Sequence, residues 1–239
     1  MRSKSKSVQI FQDTRHWSAT RASAYHLFRM ATYAFAVSMV WTAAAQADGL
    51  GYDNLPPQEL CGLCHGLNGI SATAKFPKLA GQKPAYIEKQ LKDFLSGKRT
   101  NDGGQMESIV TEIAPEQFKD VAAYFSEREP PTPPESDAPD LTPDERTRAH
   151  DLFNKGRAEA GIPACASCHI ETNDDAKHAP YLTSQHRDYL AKQLNDFRNG
   201  MRDNDTTGTM QKIAAALEPD EIEILAGYLA ATPRAGSEK

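Results

Sequence analysis

Two short stretches, CGLCH at 61–65 and CASCH at 165–169, contain every cysteine of the 239-residue chain: Cys61, Cys64, Cys165 and Cys168. On a helical turn, residues at i, i+3 and i+4 project to the same side. Two thiols spaced in this way can bond covalently to the two vinyl groups of a haem, while the imidazole at i+4 reaches the iron from that face. This is the spacing of c-type haem attachment. Each motif therefore points to one covalent haem, with His65 and His169 as iron ligands. Two other chemistries use the same residue types. A thioredoxin-like redox pair sits beside a strand-helix-strand pattern, which the sequence does not offer. A structural zinc site takes four ligands, and each motif supplies three.

The ligand on the other side of the iron decides what such a haem does. An open position permits oxygen or peroxide chemistry, and a protein ligand there favours electron transfer. Of six methionines, Met1, Met30 and Met39 belong to an N-terminal export pattern, leaving Met106, Met201 and Met210. Met106 and Met210 each lie at the same distance beyond their own motif, so they are the expected axial ligands. Met201 falls opposite Lys98 and reads as a core filler. His178 is the rival to Met210, through bis-histidine ligation. His150 and His186 read as surface polar residues.

The equal distances reflect a duplication. PAYIEKQLKDFLSGKRTNDGGQM (84–106) aligns with RDYLAKQLNDFRNGMRDNDTTGTM (187–210) after one inserted residue. Cys61/Cys165 and Met106/Met210 are 104 apart, while Pro77/Pro180, Leu79/Leu182, Tyr86/Tyr189, Phe94/Phe197 and Arg99/Arg202 are 103 apart. Tyr86, Ile87, Gln90, Leu91, Phe94 and Leu95 keep helical spacing between Pro84 and Gly97, and the copy runs from about Arg187 to Asn199. PEQFKDVAAYFSE and PDEIEILAGYLAA read as closing helices. Thr142, Pro143 and Glu145 form a capping box that opens a helix ended by Gly156. No stretch alternates like a strand. The fold class is all-α, with two tandem domains each wrapped round a covalent haem, which also compensates for the thin core of so small a unit. The expected organisation is 1–47 as export signal, 48–129 as first domain, 130–141 as a proline-rich, extended and solvated linker, and 142–239 as second domain.

The export pattern is a basic start followed by an apolar run ending in Ala45-Gln46-Ala47, which favours cleavage; an uncleaved membrane anchor is the alternative. The whole chain carries a net charge of −5. Residues 1–47 hold six basic and one acidic side chain, so their removal leaves a remainder near −10. That charge argues against nucleic acid and against anionic lipid, leaving contact with a membrane only through partners or an uncleaved signal.

Taken together, CGLCHG…FPKLAGQKPAYIEKQLKDFLSGKR…M and GIPACASCH…APYLTSQHRDYLAKQLNDFRNGMR…M resemble the dihaem class I cytochromes c of the cytochrome c4 family, over essentially all of 53–235. The resemblance implies two cytochrome c domains with haems near a shared interface, located in a bacterial periplasm. It implies a carrier rather than an enzyme, taking electrons from an upstream donor such as a bc-type complex or a dehydrogenase and passing them toward a haem-copper oxidase. The alternatives are a cytochrome subunit of a periplasmic dehydrogenase and a dihaem oxidoreductase. It also implies that the backbone carbonyls of Pro77 and Pro180 accept a hydrogen bond from His65 and His169. Arg99 and Arg202 have two readings, as partners of haem propionates or as solvated surface residues. Two departures stand out: Ile170 follows the second motif where the first has Gly66, and YDNLPPQEL is too short and proline-broken for the leading helix that precedes the second motif. The second haem is accordingly expected to be better covered and higher in potential, with Glu171, Asp174 and Asp175 acting in the opposite direction.

Overall fold

Proline opens most of the longer helices, because its fixed φ suits the first turn and its missing N–H is not needed there. In the computed structural model, which describes residues 55–133, 141–170 and 176–234, α1 (Pro57–His65) carries the first motif. It is followed by α2 (Pro84–Leu95), α3 (Gln105–Val110), a 3₁₀ turn at Pro115–Gln117 and α4 (Phe118–Ser126). The second half runs through α5 (Pro143–Lys155), a 3₁₀ turn at Ala158–Ala160 and α6 (Ala166–His169), then α7 (Arg187–Arg198), α8 (Thr209–Ala216) and α9 (Pro219–Ala231). Among the described residues the only extended pairing is the isolated bridge between Arg157 and Ile162. The fold is all-α.

The expected helices are present. α2 and α7 occupy matched stretches, and α5 starts on the full Thr142/Glu145 capping box. Gly156 then stops α5 in a left-handed conformation, φ 72°. A β-carbon there would come within 2.4 Å of the Ile162 carbonyl oxygen, so the turn back toward the second motif requires glycine.

Each half builds its own apolar core. In the first, Leu60, Ile87, Leu91, Phe94, Phe118 and Phe125 cluster; in the second, Leu152, Phe153, Ile162, Leu190, Ile222 and Leu225 do so. Residues 1–54 and 134–140 lie outside the described residues, and with them the export segment and most of the linker. What is described of the proline-rich stretch is not all solvated as expected. Pro131 is fully buried, and a β-carbon on Gly81 would meet Pro130 at 2.8 Å. The start of the connection is packed against the first half, because proline rings are apolar enough to cover the backbone near Gly81.

Candidate functional site

Each motif sits on the last turn of its helix with the histidine turned inward. His65 is 5% exposed and His169 7% exposed. The Nδ1–H of His65 donates to the Pro77 carbonyl at 2.8 Å, and that of His169 to the Pro180 carbonyl at 2.6 Å. A carbonyl only accepts, so Nδ1 carries the proton in both rings and Nε2 keeps its lone pair for a metal. Burial holds His65 below the ordinary histidine range, opposed by the Pro77 bond and aided by the charge of Arg99. Burial likewise lowers His169 to about 4, opposed by the Pro180 bond and aided by Lys83. Both imidazoles are neutral at physiological pH, the form that ligates iron.

Cys61 and Cys165 face inward, while Cys64 and Cys168 are exposed. Burial pushes the thiols of Cys61 and Cys165 up to about 11. A thiolate is disfavoured at those positions, and a thioether, which is neutral, suits them. Among the described residues no three His, Cys, Asp or Glu side chains converge as a metal-binding cluster, so the zinc alternative has no geometric support there.

Met106 and Met210 are both the second residue of a short helix, α3 and α8, entered through a left-handed glycine, Gly104 and Gly208. The backbone N–H of Met106 donates to the Asp102 carboxylate, and that of Met210 donates to the Asp205 carboxylate at 2.5 Å. Asp102 and Asp205 match at the 103-residue offset and the methionines at 104, so the inserted residue lies between Asp205 and Met210. The second loop absorbs it without losing the bond. Both methionines are half-buried. Met201 is 66% exposed rather than a core filler, because it follows the glycine that ends α7 and points away from the core. His178 is exposed and its Nδ1 lies 3.3 Å from the Ala85 carbonyl. His150 is exposed as expected, but His186 is buried, against expectation. The difference expected after the motifs is real: Gly66 has φ 78°, whereas Ile170 continues in the right-handed region at φ −102°.

The largest departure from the sequence reading is the boundary between the halves. Arg99 and Arg202 are both 6% exposed, which excludes the solvated reading. Arg99 donates to Asn101, Gln90, Tyr189 and Gln193 at 2.8–3.1 Å. Arg202 makes the mirror set, to Asn204, Gln193, Tyr86 and Gln90 at 2.8–3.4 Å. Asn101 and Asn204 reach Asp196 and Asp93 across the boundary, and Lys192 and Lys89 reach the Asn101 and Asn204 carbonyls. Every partner pair stands 103 residues apart, so the halves meet about an approximate twofold axis. Burial pushes the Tyr86 phenol up, yet Arg202 and Arg99 outweigh it and bring the net shift down, a measure of how positive this boundary is.

Each guanidinium also lies on the ring of its own half's phenylalanine, Phe94 at 4.6 Å and Phe197 at 4.5 Å. Among the described residues neither guanidinium has a carboxylate within salt-bridge distance, and a buried cation is costly unless an anion accompanies it. A cofactor carrying carboxylates, two thioether sites and an iron suits this donor set: paired thiols on one turn, a neutral inward imidazole, a fixed methionine, and buried cations.

The chain matches the family model described as Cytochrome c over residues 54–128. It is 36% identical over 191 residues to cytochrome c4 of Pseudomonas aeruginosa, an alignment covering 79% of this chain and 91% of that protein. It is 36% identical over 182 residues to the thiosulfate dehydrogenase electron acceptor of Stutzerimonas stutzeri, covering 73% and 80%. The crystal structure of reduced cytochrome c4 from Pseudomonas stutzeri superposes with a TM-score of 0.63 at 34% identity, covering 73% of this chain and 96% of that one. Tandem haem motifs, an all-α fold in two matched halves and relatives aligned over most of their length converge on one conclusion: the chain belongs to the cytochrome c4 family and carries two covalently attached haem c groups.

Proposed function

We propose that this dihaem electron-transfer protein holds its haems through Cys61/Cys64 and Cys165/Cys168, with His65/Met106 and His169/Met210 as the axial pairs, and that it carries electrons in the periplasm between redox proteins. When bound, haem iron exchanges one electron between its ferric and ferrous states. The chain does the rest. Pro77 and Pro180 hold each imidazole in one tautomer and orientation, which fixes the iron's donor. Asp102 and Asp205 fix the helix turn that presents each methionine, whose thioether raises the potential relative to a second histidine. Arg99 and Arg202 supply the positive charge that haem propionates need, and the polar boundary holds the two halves in one arrangement. The observation that carries the proposal is the pairing, at one place in each repeat, of a proline-locked neutral histidine with an aspartate-fixed methionine.

The chain acts as a carrier, with upstream donors such as a bc-type complex or a dehydrogenase and a haem-copper oxidase as acceptor. A second reading of the donor is favoured by the thiosulfate dehydrogenase electron acceptors among the relatives. In that reading a dehydrogenase hands its electrons to this chain, either freely or as a docked subunit. Export agrees with the Ala45-Gln46-Ala47 pattern, and no helix among the described residues is long and apolar enough to cross a membrane.

The test is the mass of the purified protein, expected to exceed the polypeptide by two haem groups, together with a redox titration of Met106→His. Imidazole donates more strongly to ferric iron than thioether does. One wave should therefore fall in potential with loss of half the methionine–iron absorption band, and the other wave should stay in place. Both waves moving equally, or a full band surviving, refutes the ligand assignment.

A further inference from the structure

The approximate twofold axis relates Ala80 to Thr183, 103 residues apart, yet one side chain bonds both. The Arg234 guanidinium, 4% exposed, donates from Nη1 to the Ala80 carbonyl at 2.8 Å and from Nη2 to the Thr183 carbonyl at 3.3 Å. A planar fork presents its donors from a single centre, so a guanidinium that reaches two equivalent acceptors lies on the axis itself. It also lies 5.2 Å from the centre of the Tyr181 ring. At the 104-residue offset of the closing helices, Arg234 stands where the first half has Pro130. The two meet there: a β-carbon on Gly81 would come within 2.8 Å of Pro130 Cγ and 3.3 Å of Arg234 Nη1.

The stretches that Arg234 ties together are those that fix the haem histidines. In each, a proline carbonyl accepts from the imidazole, and the backbone of the next residue is gripped by a glutamine of the other half. Two residues further on, the carbonyl accepts from Arg234. The residue after that, Gly81 or Ser184, is left-handed in both halves, at φ 62° and 61°. Its N–H donates to the closing helix, at the Phe125 or Leu229 carbonyl, at 3.0 and 2.9 Å. Glycine takes this conformation without strain, and serine does not. What the serine adds is a hydroxyl, which donates to the Thr232 carbonyl at 3.1 Å. That bond fixes the chain two residues before Arg234, so the strained residue serves to place the arginine.

We propose that Arg234 is a positioning residue for both haem histidines at once: it ties residues 77–80 and 180–183 to one point, so that a disturbance of either stretch is felt at both irons. This rests on the axial histidines proposed above. The donation of an imidazole to iron depends on the carbonyl that holds its Nδ1–H, and that carbonyl is only as fixed as the stretch that bears it.

The test is proton NMR of the reduced holoprotein, following solvent exchange of the two histidine Nδ1–H protons, with both potentials read by spectroelectrochemical titration. Arg234→Met keeps an apolar stem and removes both bonds. Both protons should then exchange faster, on the order of fivefold, the ratio set by about one net hydrogen bond lost per stretch, and both waves should shift. Backbone amides of α5, which makes none of these contacts, should keep their exchange rates; a rise of the same size there marks general loosening and overturns the positioning role. So does an Arg234→Met protein in which one histidine proton or one wave stays unmoved. Ser184→Gly suits the left-handed φ and removes only the hydroxyl that places Arg234. Both histidine protons should again exchange faster, although Ser184 belongs to the second half. Should Arg234→Met not fold, Ser184→Gly decides: a response at His169 alone, or at neither histidine, overturns the proposal. The haem-shifted imidazole resonances and the methionine–iron band report separately on the ligands. Their presence with unchanged exchange defeats this inference alone, and their absence defeats the ligand assignment.

Discussion

Replacing Arg99 by methionine keeps an apolar stem and removes the guanidinium together with its contact on the Phe94 ring. Four charge-assisted hydrogen bonds go with it, two to its own half and two to the other. The losses are not equal. Gln193 Oε1 still accepts from Asn101 and Arg202, and Gln90 Oε1 still accepts from Arg202 and Asn204. Asn101 Oδ1 and the Tyr189 hydroxyl lose their guanidinium partner, each costing about 1–3 kcal/mol in a buried setting. Relief of guanidinium burial returns part of this, so about 3 kcal/mol of net destabilisation is expected, measurable within a typical stability of about 5–15 kcal/mol. The twofold arrangement supplies an internal control, since Arg202→Met should cost the same to within about 1 kcal/mol. The double variant should cost more than the two singles together. Each single change relieves the repulsion between the two cations, which only one change can do, and only the double variant strips both guanidiniums from both glutamine oxygens. The expected excess is about 0.5–3 kcal/mol. Urea unfolding of the holoprotein followed by haem absorbance measures all four corners of the cycle. Additive costs, or singles that differ by several kcal/mol, refute a shared network.

Gly156→Ala should destabilise the second half by at least about 2 kcal/mol through its left-handed φ and its clash with the Ile162 carbonyl, with the first half's melting unchanged in calorimetry. Gln82→Ala removes a buried amide that bonds the Tyr181 backbone twice and Lys83 once, and should cost about 2–4 kcal/mol. Gln185→Ala should match it in thermal melts, because its clamp on Lys78 is the same.

The chemistry-bearing residues were legible because their constraint is local. A turn of helix suffices to bring Cys61, Cys64 and His65 together, and apolar spacing suffices to mark α2 and α7. α3 and α8 were not legible as helices: six to eight residues entered from left-handed glycines are too short for periodicity to register. The boundary was missed for a different reason. Charged Lys89 and Asp93 give no apolar signal on their own helix, and it is the other half, through Asn204, that they meet. A signal was nevertheless present in the repeat itself. Lys89, Gln90, Asp93 and Asn101 recur unchanged as Lys192, Gln193, Asp196 and Asn204, whereas neighbouring positions drift, as Glu88/Ala191 and Lys92/Asn195 do. Polar identity between two copies of one unit marks the face on which they meet. The same blindness placed His186 on the surface.

The expectation of a higher potential at the second haem rests on how well each haem is covered. The leading helix α5 suggested that the second haem is better covered and therefore harder to oxidise. The structure gives that argument little, since His65 and His169 are buried to almost the same degree, and α5 adds Leu152 and Phe153 to the second core without a matching change at the ligand. Equal burial leaves the difference to fixed charge. The guanidiniums and the glutamine clamps are matched, but Lys78, buried beside Pro77, stands at the place of Tyr181, and Lys83 at that of His186, so the first half sends two unmatched ammonium groups across the boundary.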